Sequence, residues 1–244
     1  MKISFTIIGY NESCFLKDCL NSIKDVAYEI VYVDCGSSDE SVEVAKKINA
    51  KIFTRENNFN INVNKQFAID NSSGDWVFYM DPDEKLSEEL KKEIVSTLKN
   101  TDSCGFLIPR KNFYFGKWLR YGGKYPDKQL RLFKRGFARF ECRSIHERIK
   151  VDGKVAELKN PFYHTVVRDT RHLVNKMKSY AEREGEEIKR LNKKQRDIGL
   201  RAIRRFIINY FLKFGFLDGV TGLFVAVIDL YNGLLFYFKS NELE

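Results

Sequence analysis

Proline is scarce, with four residues in 244, and no Gly/Ser-rich tract interrupts the chain. Nothing therefore marks a flexible tether between independent domains. One continuous body is expected, a large domain plus an appendage. The five cysteines, Cys14, Cys19, Cys35, Cys104 and Cys142, are odd in number and lack the paired short spacings of a zinc site or a redox motif. Reduced thiols in a cytoplasmic protein are the expectation. The chain also opens directly on a strand pattern, Lys2-Ile3-Ser4-Phe5-Thr6-Ile7-Ile8, in place of a basic stretch leading into an apolar signal region, which disfavours secretion. Missing as well is an uninterrupted apolar run of the roughly 18 to 20 residues that a membrane span requires. Apolar content itself is ample, at 43% hydrophobic and 14% aromatic, so a substantial core is expected and disorder is not.

The net charge of +9 is concentrated. Between Arg171 and Lys213 there are 13 Lys/Arg against 5 Asp/Glu, a surplus of eight. Such a segment suits nucleic acid, anionic lipid or a phosphorylated substrate. The stretch that follows, Phe206 to Phe238, is rich in Phe, Leu, Ile and Val but is interrupted by Lys213, Asp218 and Asp229. A basic stretch feeding a broken apolar one points to a segment lying in the interface of an anionic membrane, at its inner face. The alternative is a helical hairpin packed on the protein or pairing two copies in a homodimer.

Short apolar runs alternate with amphipathic helical patterns through the first hundred residues. Strands are predicted at Ile3–Ile8, Glu29–Val33, Lys51–Thr54 and Trp76–Met80, with helices near Ser13–Ile23, Asp39–Ile48 and Asn62–Asn71. That rhythm means βαβ units and a mostly parallel sheet of Rossmann-like α/β type. Ser87 before Glu88 and Glu89 reads as an N-cap with acids in the first turn, opening a helix to about Leu98. From Gly105 the pattern shifts to strands, Phe106–Ile108 and Gln129–Phe133, expected to cover the active edge of the sheet. A charged helix is predicted over Thr170–Asn192. The division is thus a catalytic domain over 1–168 and a helical, basic and apolar C-terminal extension over 169–244.

In an open parallel sheet, ligands bind beyond the carboxyl ends of the strands, so the polar residues after each apolar run are the informative ones. The first run ends in Gly9-Tyr10-Asn11-Glu12, the second in Asp34-Cys35-Gly36-Ser37-Ser38-Asp39, and the fourth in Asp81-Pro82-Asp83-Glu84. Three strands thus deliver acidic groups to one edge. Two carboxylates as close as Asp81 and Asp83 repel unless a cation lies beside them, and Mg²⁺ or Mn²⁺ takes oxygen ligands and completes its shell with substrate phosphates. A plain turn with Asp as a helix cap is the competing reading of that string alone.

Taken together, Thr6-Ile7-Ile8-Gly9-Tyr10-Asn11-Glu12, Glu29-Ile30-Val31-Tyr32-Val33-Asp34-Cys35-Gly36-Ser37-Ser38-Asp39 and Gly74-Asp75-Trp76-Val77-Phe78-Tyr79-Met80-Asp81-Pro82-Asp83-Glu84 closely resemble the family 2 glycosyltransferases of the GT-A fold. The resemblance implies a metal-dependent enzyme that transfers a sugar from a nucleotide-sugar donor, a UDP-sugar above all, with inversion. It implies that Tyr10, Glu12 and Asp34 hold the nucleoside with help from Lys65, that Asp81 meets the ribose or a metal-bound water, and that Asp83 binds the metal. Ser144-Ile145-His146-Glu147-Arg148 resembles the His-Glu signature of a small bacterial branch that adds glucose-like sugars to lipopolysaccharide cores. On that likeness Glu147 is the expected base, with His146 positioning it or meeting the acceptor. A surface Glu147 paired with Arg148 is the alternative.

Gln129-Leu130-Arg131-Leu132-Phe133 and Gly215-Phe216-Leu217-Asp218-Gly219-Val220-Thr221-Gly222 resemble the same branch, with Gln129 and Arg131 expected to face the diphosphate or the acceptor. His164 is a further candidate metal or diphosphate ligand, or else a packed histidine. The Gln-x-x-Arg-Trp signature of processive synthases is absent, which favours single-sugar addition to a glycan, lipid-linked or lipopolysaccharide-type acceptor. Two other readings stand beside this one. A sugar-nucleotide pyrophosphorylase normally carries a Gly-rich basic loop after the first strand, where this chain has the acidic Gly9-Tyr10-Asn11-Glu12. A nucleic-acid-binding protein, or a silent relative, fits the basic charge, but no nucleic-acid motif is present and no such partner is expected.

Overall fold

The computed structural model describes residues 1–145, 147–174, 176–177 and 198–241. The chain forms two compact units, one comprising Met1–Arg110 and Lys128–His164, the other Lys111–Asp127 and Thr165–Glu244.

The first unit is built on a curled sheet. β1 (Ile3–Gly9), β2 (Glu29–Asp34), β3 (Lys51–Thr54) and β4 (Trp76–Met80) alternate with α1 (Ser13–Ile23), α2 (Ser41–Lys46) and α3 (Ile61–Asp70). β1 lies between β2 and β4 and runs parallel to both, and β3 extends the sheet parallel to β2. All five residues of β4 and six of the seven in β1 are buried, as strands covered on both faces must be. Phe5 stacks on Phe78 at 5.4 Å between ring centroids, and Phe78 meets Phe162 edge-on at 6.5 Å, so the core runs under the sheet from its first strand to a late one.

β5 (Glu84–Leu86) and α4 (Glu88–Thr97) follow, and then β6 (Gly105–Tyr114), β7 (Lys117–Trp118), β8 (Asp127–Lys134), β9 (Ala138–Arg139), β10 (Lys150–Val151), β11 (Val155–Glu157) and β12 (Phe162–Val167). The strands of this half, expected with its loops to cover the edge of the sheet, join the sheet instead. β8 pairs antiparallel with β4, and the order continues β4-β8-β6-β12-β5, so these strands lengthen the sheet. The reason is local: Leu132 and Phe133 are fully buried and need the flank of β4 to leave water.

In the second unit, Asp218 is buried, and its carboxylate accepts from the backbone N–H groups of Arg120 (3.1 Å) and Tyr121 (2.9 Å), while Lys124 pairs with Asp229 at 2.6 Å. These contacts tie residues 117–124 to a helical hairpin of α5 (Ile198–Ile207) and α6 (Gly219–Asn241), joined by a π-helical turn at Ile208–Leu212 and a 3-10 turn at Gly215–Asp218. Asp229 does not break α6, which runs unbroken for 23 residues; the interruption falls at Lys213 and Phe214 before it. By length and composition Gly215–Leu235 is sufficient to cross a membrane. Residues 170–174 and 176–177 are helical, and the remainder of the helix predicted to Asn192, with Lys189, Arg190, Lys193, Lys194 and Arg196, lies outside the described residues.

The cap of α4 provides a direct test of the element boundaries. Ser87 Oγ accepts from Leu90 N–H at 3.1 Å and donates to the Pro161 carbonyl at 2.8 Å. Ser87→Ala should lower stability by about 1 to 2 kcal/mol, read as a fall in the urea midpoint at constant m-value.

Candidate functional site

Parallel register sets the rim. Gly9 stands opposite Asp34 and Ile7 opposite Met80, so the residues that follow β1, β2 and β4 emerge nearly level at one edge of the sheet. Gly9 is required there, because a Cβ would come within 2.7 Å of the Tyr32 hydroxyl. At the end of β2 the chain turns through Gly36 at φ +83°, which lets the N–H groups of Gly36 and Ser37 both donate to Asp34 Oδ2 at 3.1 Å. Asp34 Oδ1 is equally buried and has no hydrogen-bond partner among the described residues. Beside it opens a cleft of about 720 Å³ lined by Cys35, Gly36, Asn64 and the run Thr54-Arg55-Glu56-Asn57-Asn58. Arg55 is fixed by its backbone N–H to Asp34 O (2.8 Å), by Nε to Asn64 Oδ1 (2.9 Å), and by stacking over Phe67.

The turn after β4 holds the densest charge. Asp81 Oδ1 pairs with Lys65 Nζ and Oδ2 with Arg131 Nη2, each at 2.8 Å. Arg131 also reaches Glu84 at 2.5 Å, and Arg110 reaches the same Glu84 oxygen at 3.4 Å. Glu84 is fully buried and its other oxygen accepts from Asp81 N–H at 3.0 Å, closing the turn on itself. Burial by itself would raise the Asp81 carboxyl, but Lys65 and Arg131 outweigh it and hold the group well below the usual carboxylate range. The Cys19 thiol is pushed well up by burial and further by the nearby carboxylates Glu84, Asp83 and Asp81. Asp83 lies against β12, where His164 Nε2 is 3.3 Å from Asp83 Oδ2. β12 brings His164 opposite Glu84 by antiparallel pairing with β5.

The expected residues thus fall into groups. Asp81, Lys65 and Arg131 meet in one ion-pair network, and Asp83 meets His164. Asp34 immediately precedes Cys35 and Gly36 of the cleft wall and is itself buried behind it. Tyr10 is exposed, and Glu12 caps α1 without a side-chain cap bond, its N–H donating to Ser41 Oγ at 3.0 Å. Gln129 is half-buried on the same face of β8 as Arg131. None of Asp34, Asp81 and Asp83 lines the 720 Å³ cleft, whose wall comes from the turn after β2, the end of β3 with the run that follows it, and Asn64 of α3. Glu147 accepts from Cys142 N–H (2.6 Å) and Arg143 N–H (2.9 Å), one bond to each oxygen. Its loop is bound to the start of α3, where Asn60 donates to the Cys142 carbonyl and Asn62 to that of Ser144, both at 2.9 Å. Lys65 follows Asn62 by three residues, one helical turn along the same side of α3. His146 lies outside the described residues.

Two residues escape a search confined to acidic strand ends. Arg55 and Asn64 line the cleft, and the end of the third strand, subject to the same edge rule, is the signal that finds Arg55. Glu84 stands in the string after the fourth run, but its burial against Arg131 and Arg110 is set by strands distant in sequence.

The Asp81 network makes acid stability a test. A carboxyl held low when folded contributes stability in full above its unfolded pKa of about 4 and loses it as pH falls toward the folded value. Asp81→Asn should therefore be less stable than the wild type at neutral pH, with the gap in denaturation midpoint narrowing below about pH 4. A gap that stays constant through the acid range would contradict the pairing.

Comparison with known proteins fits this arrangement. The chain is 27% identical over 257 residues to an uncharacterized glycosyltransferase of Rickettsia prowazekii, covering 100% of this chain and 88% of that one. It is 30% identical over 161 residues to the lipopolysaccharide core biosynthesis glycosyltransferase LpsC of Rhizobium meliloti, covering 64% of this chain and 59% of the relative. Among solved structures, S. aureus TarS 1-349 aligns with a TM-score of 0.52 at 17% identity over 96% of this chain and 81% of its own, and its complex with UDP with 0.55 at 18% over 75% and 65%. The fold is therefore of the GT-A type, a mixed α/β body on a mostly parallel sheet. A family model, Glycosyl transferase family 2, matches residues 4–152, more than half of the chain and the very strands that bear Gly9, Asp34 and Asp81, and the chain belongs to that family.

Proposed function

We propose that this glycosyltransferase moves one sugar at a time from a UDP-sugar to a hydroxyl of a glycan or lipid-linked acceptor, with inversion at the anomeric carbon. Membership of a transferase family takes the place of the pyrophosphorylase and nucleic-acid readings. Asp34 carries the donor assignment: a buried carboxylate oxygen without a partner among the described residues is costly unless a ligand donates to it, and the N3–H of a uracil entering the adjacent cleft is such a donor. Support comes from S. aureus TarS, which shares the fold and was solved with UDP and with UDP-GlcNAc. The likeness to LpsC favours a lipopolysaccharide-core type of acceptor.

A divalent ion, Mn²⁺ or Mg²⁺, fits the Asp83 and His164 pair. An oxygen and a nitrogen ligand converge there, whereas Asp81 is already matched by two cations. Among the described residues no group of three or more His, Cys, Asp or Glu side chains is arranged to hold a metal; Asp83 and His164 would supply two ligands, and such ions commonly complete their shell with substrate phosphates and water. When bound, the ion offsets the charge that builds on the departing UDP. Lys65 and Arg131 keep Asp81 ionised and the turn rigid, which fixes Asp83.

Glu147 serves as the base. Its backbone hydrogen bonds hold the carboxylate in place and leave one lone pair on each oxygen for the acceptor hydroxyl. As that hydroxyl oxygen bonds the anomeric carbon, the bond from that carbon to the diphosphate oxygen breaks, the electron pair leaves with UDP, and Glu147 takes the proton.

A thermal-shift panel of nucleotide sugars with and without Mn²⁺ tests the donor and the metal together. Donor at a hundredfold excess over its Kd should add about 2.7 kcal/mol, or about 5 to 10 °C for a chain of this size, and only with the cation. Asp83→Ala and His164→Ala should each abolish the cation requirement along with the shift. Glu147→Gln should lower kcat by about 10² to 10⁴ at wild-type donor affinity, with a small fall in melting temperature because Gln can accept only one of the two backbone N–H bonds. A parallel loss of melting temperature and donor binding would make Glu147 a strut of its loop instead.

A further inference from the structure

The second unit leaves its apolar side chains facing outward in register. On α6, Val220, Leu223, Phe224, Val227 and Tyr231 recur at the spacing of one helical face, and all are exposed, Val220 by 85%. The opposite face is already matched: Val225 is buried, Asp229 pairs with Lys124, and Gly233 is packed so closely on Ala202 of α5 that a Cβ would come within 2.6 Å of it. α5 repeats the arrangement. Ala202 is buried, while Leu200 (71% exposed), Ile203 and Ile207 form an outward stripe, and the turn beyond adds exposed Phe211, Leu212, Phe214, Phe216 and Leu217. A water-soluble surface hairpin would place polar residues at these positions.

Charge identifies the occupant. Arg201, Arg204, Arg205 and Lys213 are all exposed along this hairpin, and no acidic residue occurs from 198 to 217. On the α5 wheel the three arginines fall in one sector beside the Leu200, Ile203 and Ile207 stripe, the two-sided pattern of a helix lying at a lipid headgroup layer. A second copy of this chain would bring the same four cations against themselves. A spanning orientation of α6 would draw the Asp229 and Lys124 pair into hydrocarbon, a costly position.

We infer that the α5 and α6 hairpin docks in the plane of an anionic lipid surface, its two apolar stripes toward the acyl chains and Arg201, Arg204, Arg205 and Lys213 toward the phosphates. The full chain, centrifuged with vesicles of phosphatidylcholine alone or mixed with phosphatidylglycerol, should bind the mixed vesicles more tightly, and added salt should weaken that binding. Arg204→Gln with Arg205→Gln should weaken it about 25-fold at unchanged melting temperature. Leu200→Glu with Val220→Glu should abolish binding to both vesicle types. Equal binding to the two compositions, no binding to either, or a solution mass of two chains that falls to one in the Leu200→Glu and Val220→Glu variant overturns the inference. No donor is present in this assay, so its failure leaves the UDP-sugar reading untouched.

Discussion

The first unit depends on how a buried arginine neutralises a turn that would otherwise repel itself. Asp81, Asp83 and Glu84 fall within four residues, and Glu84 has no access to water. Arg131 bridges Asp81 and Glu84 from β8, and Lys65 meets the remaining Asp81 oxygen from α3. A buried network of this kind adds little net stability compared with an apolar substitute, but removing one member leaves charges stranded at a cost of several kcal/mol. Its value here lies in geometry. With Asp81 and Glu84 locked, Asp83 is left to approach His164, and the acidic turn keeps one shape.

That arrangement explains why β8 inserts beside β4. The antiparallel pairing buries Leu132 and Phe133 and carries Arg131 to the turn in a single step. Tyr79 on β4 receives the Arg131 guanidinium over its ring at 4.3 Å, which shields the network on a further side. α3 has a similar double duty: Asn60 and Asn62 hold the loop of Glu147, Asn64 shapes the cleft below Asp34, and Lys65 closes on Asp81. One ten-residue helix thereby sets three parts of the candidate site.

Charge is divided between the units by function. In the first, acidic groups gather at a sheet edge and are balanced by internal cations. In the second, the cations of α5 and its following turn stand exposed beside exposed apolar residues, while the acids Asp218 and Asp229 are turned inward to backbone N–H groups and to Lys124. The overall pI of about 9.2 reflects the Lys/Arg surplus between Arg171 and Lys213, of which these four cations are part.

Much of the first unit was legible in the sequence, because its signals are local. Alternating apolar runs and helical periods located β1 to β4 and α1 to α4 within two residues at each end, α2 being two residues shorter than predicted at both, and Ser87 caps α4 as its neighbours imply. The parallel βαβ rhythm alone dictates that Asp34 and Asp81 leave the sheet at one edge. What the tertiary structure decided was partnership. Asp81 answers to Lys65 and Arg131, 16 and 50 residues away, and no local pattern distinguishes a carboxylate awaiting a metal from one already paired. The same holds for the C-terminal hairpin: composition marks it as apolar and basic, but which face of each helix is covered depends on packing between Ala202 and Gly233 and between Lys124 and Asp229, contacts set by the fold of distant segments.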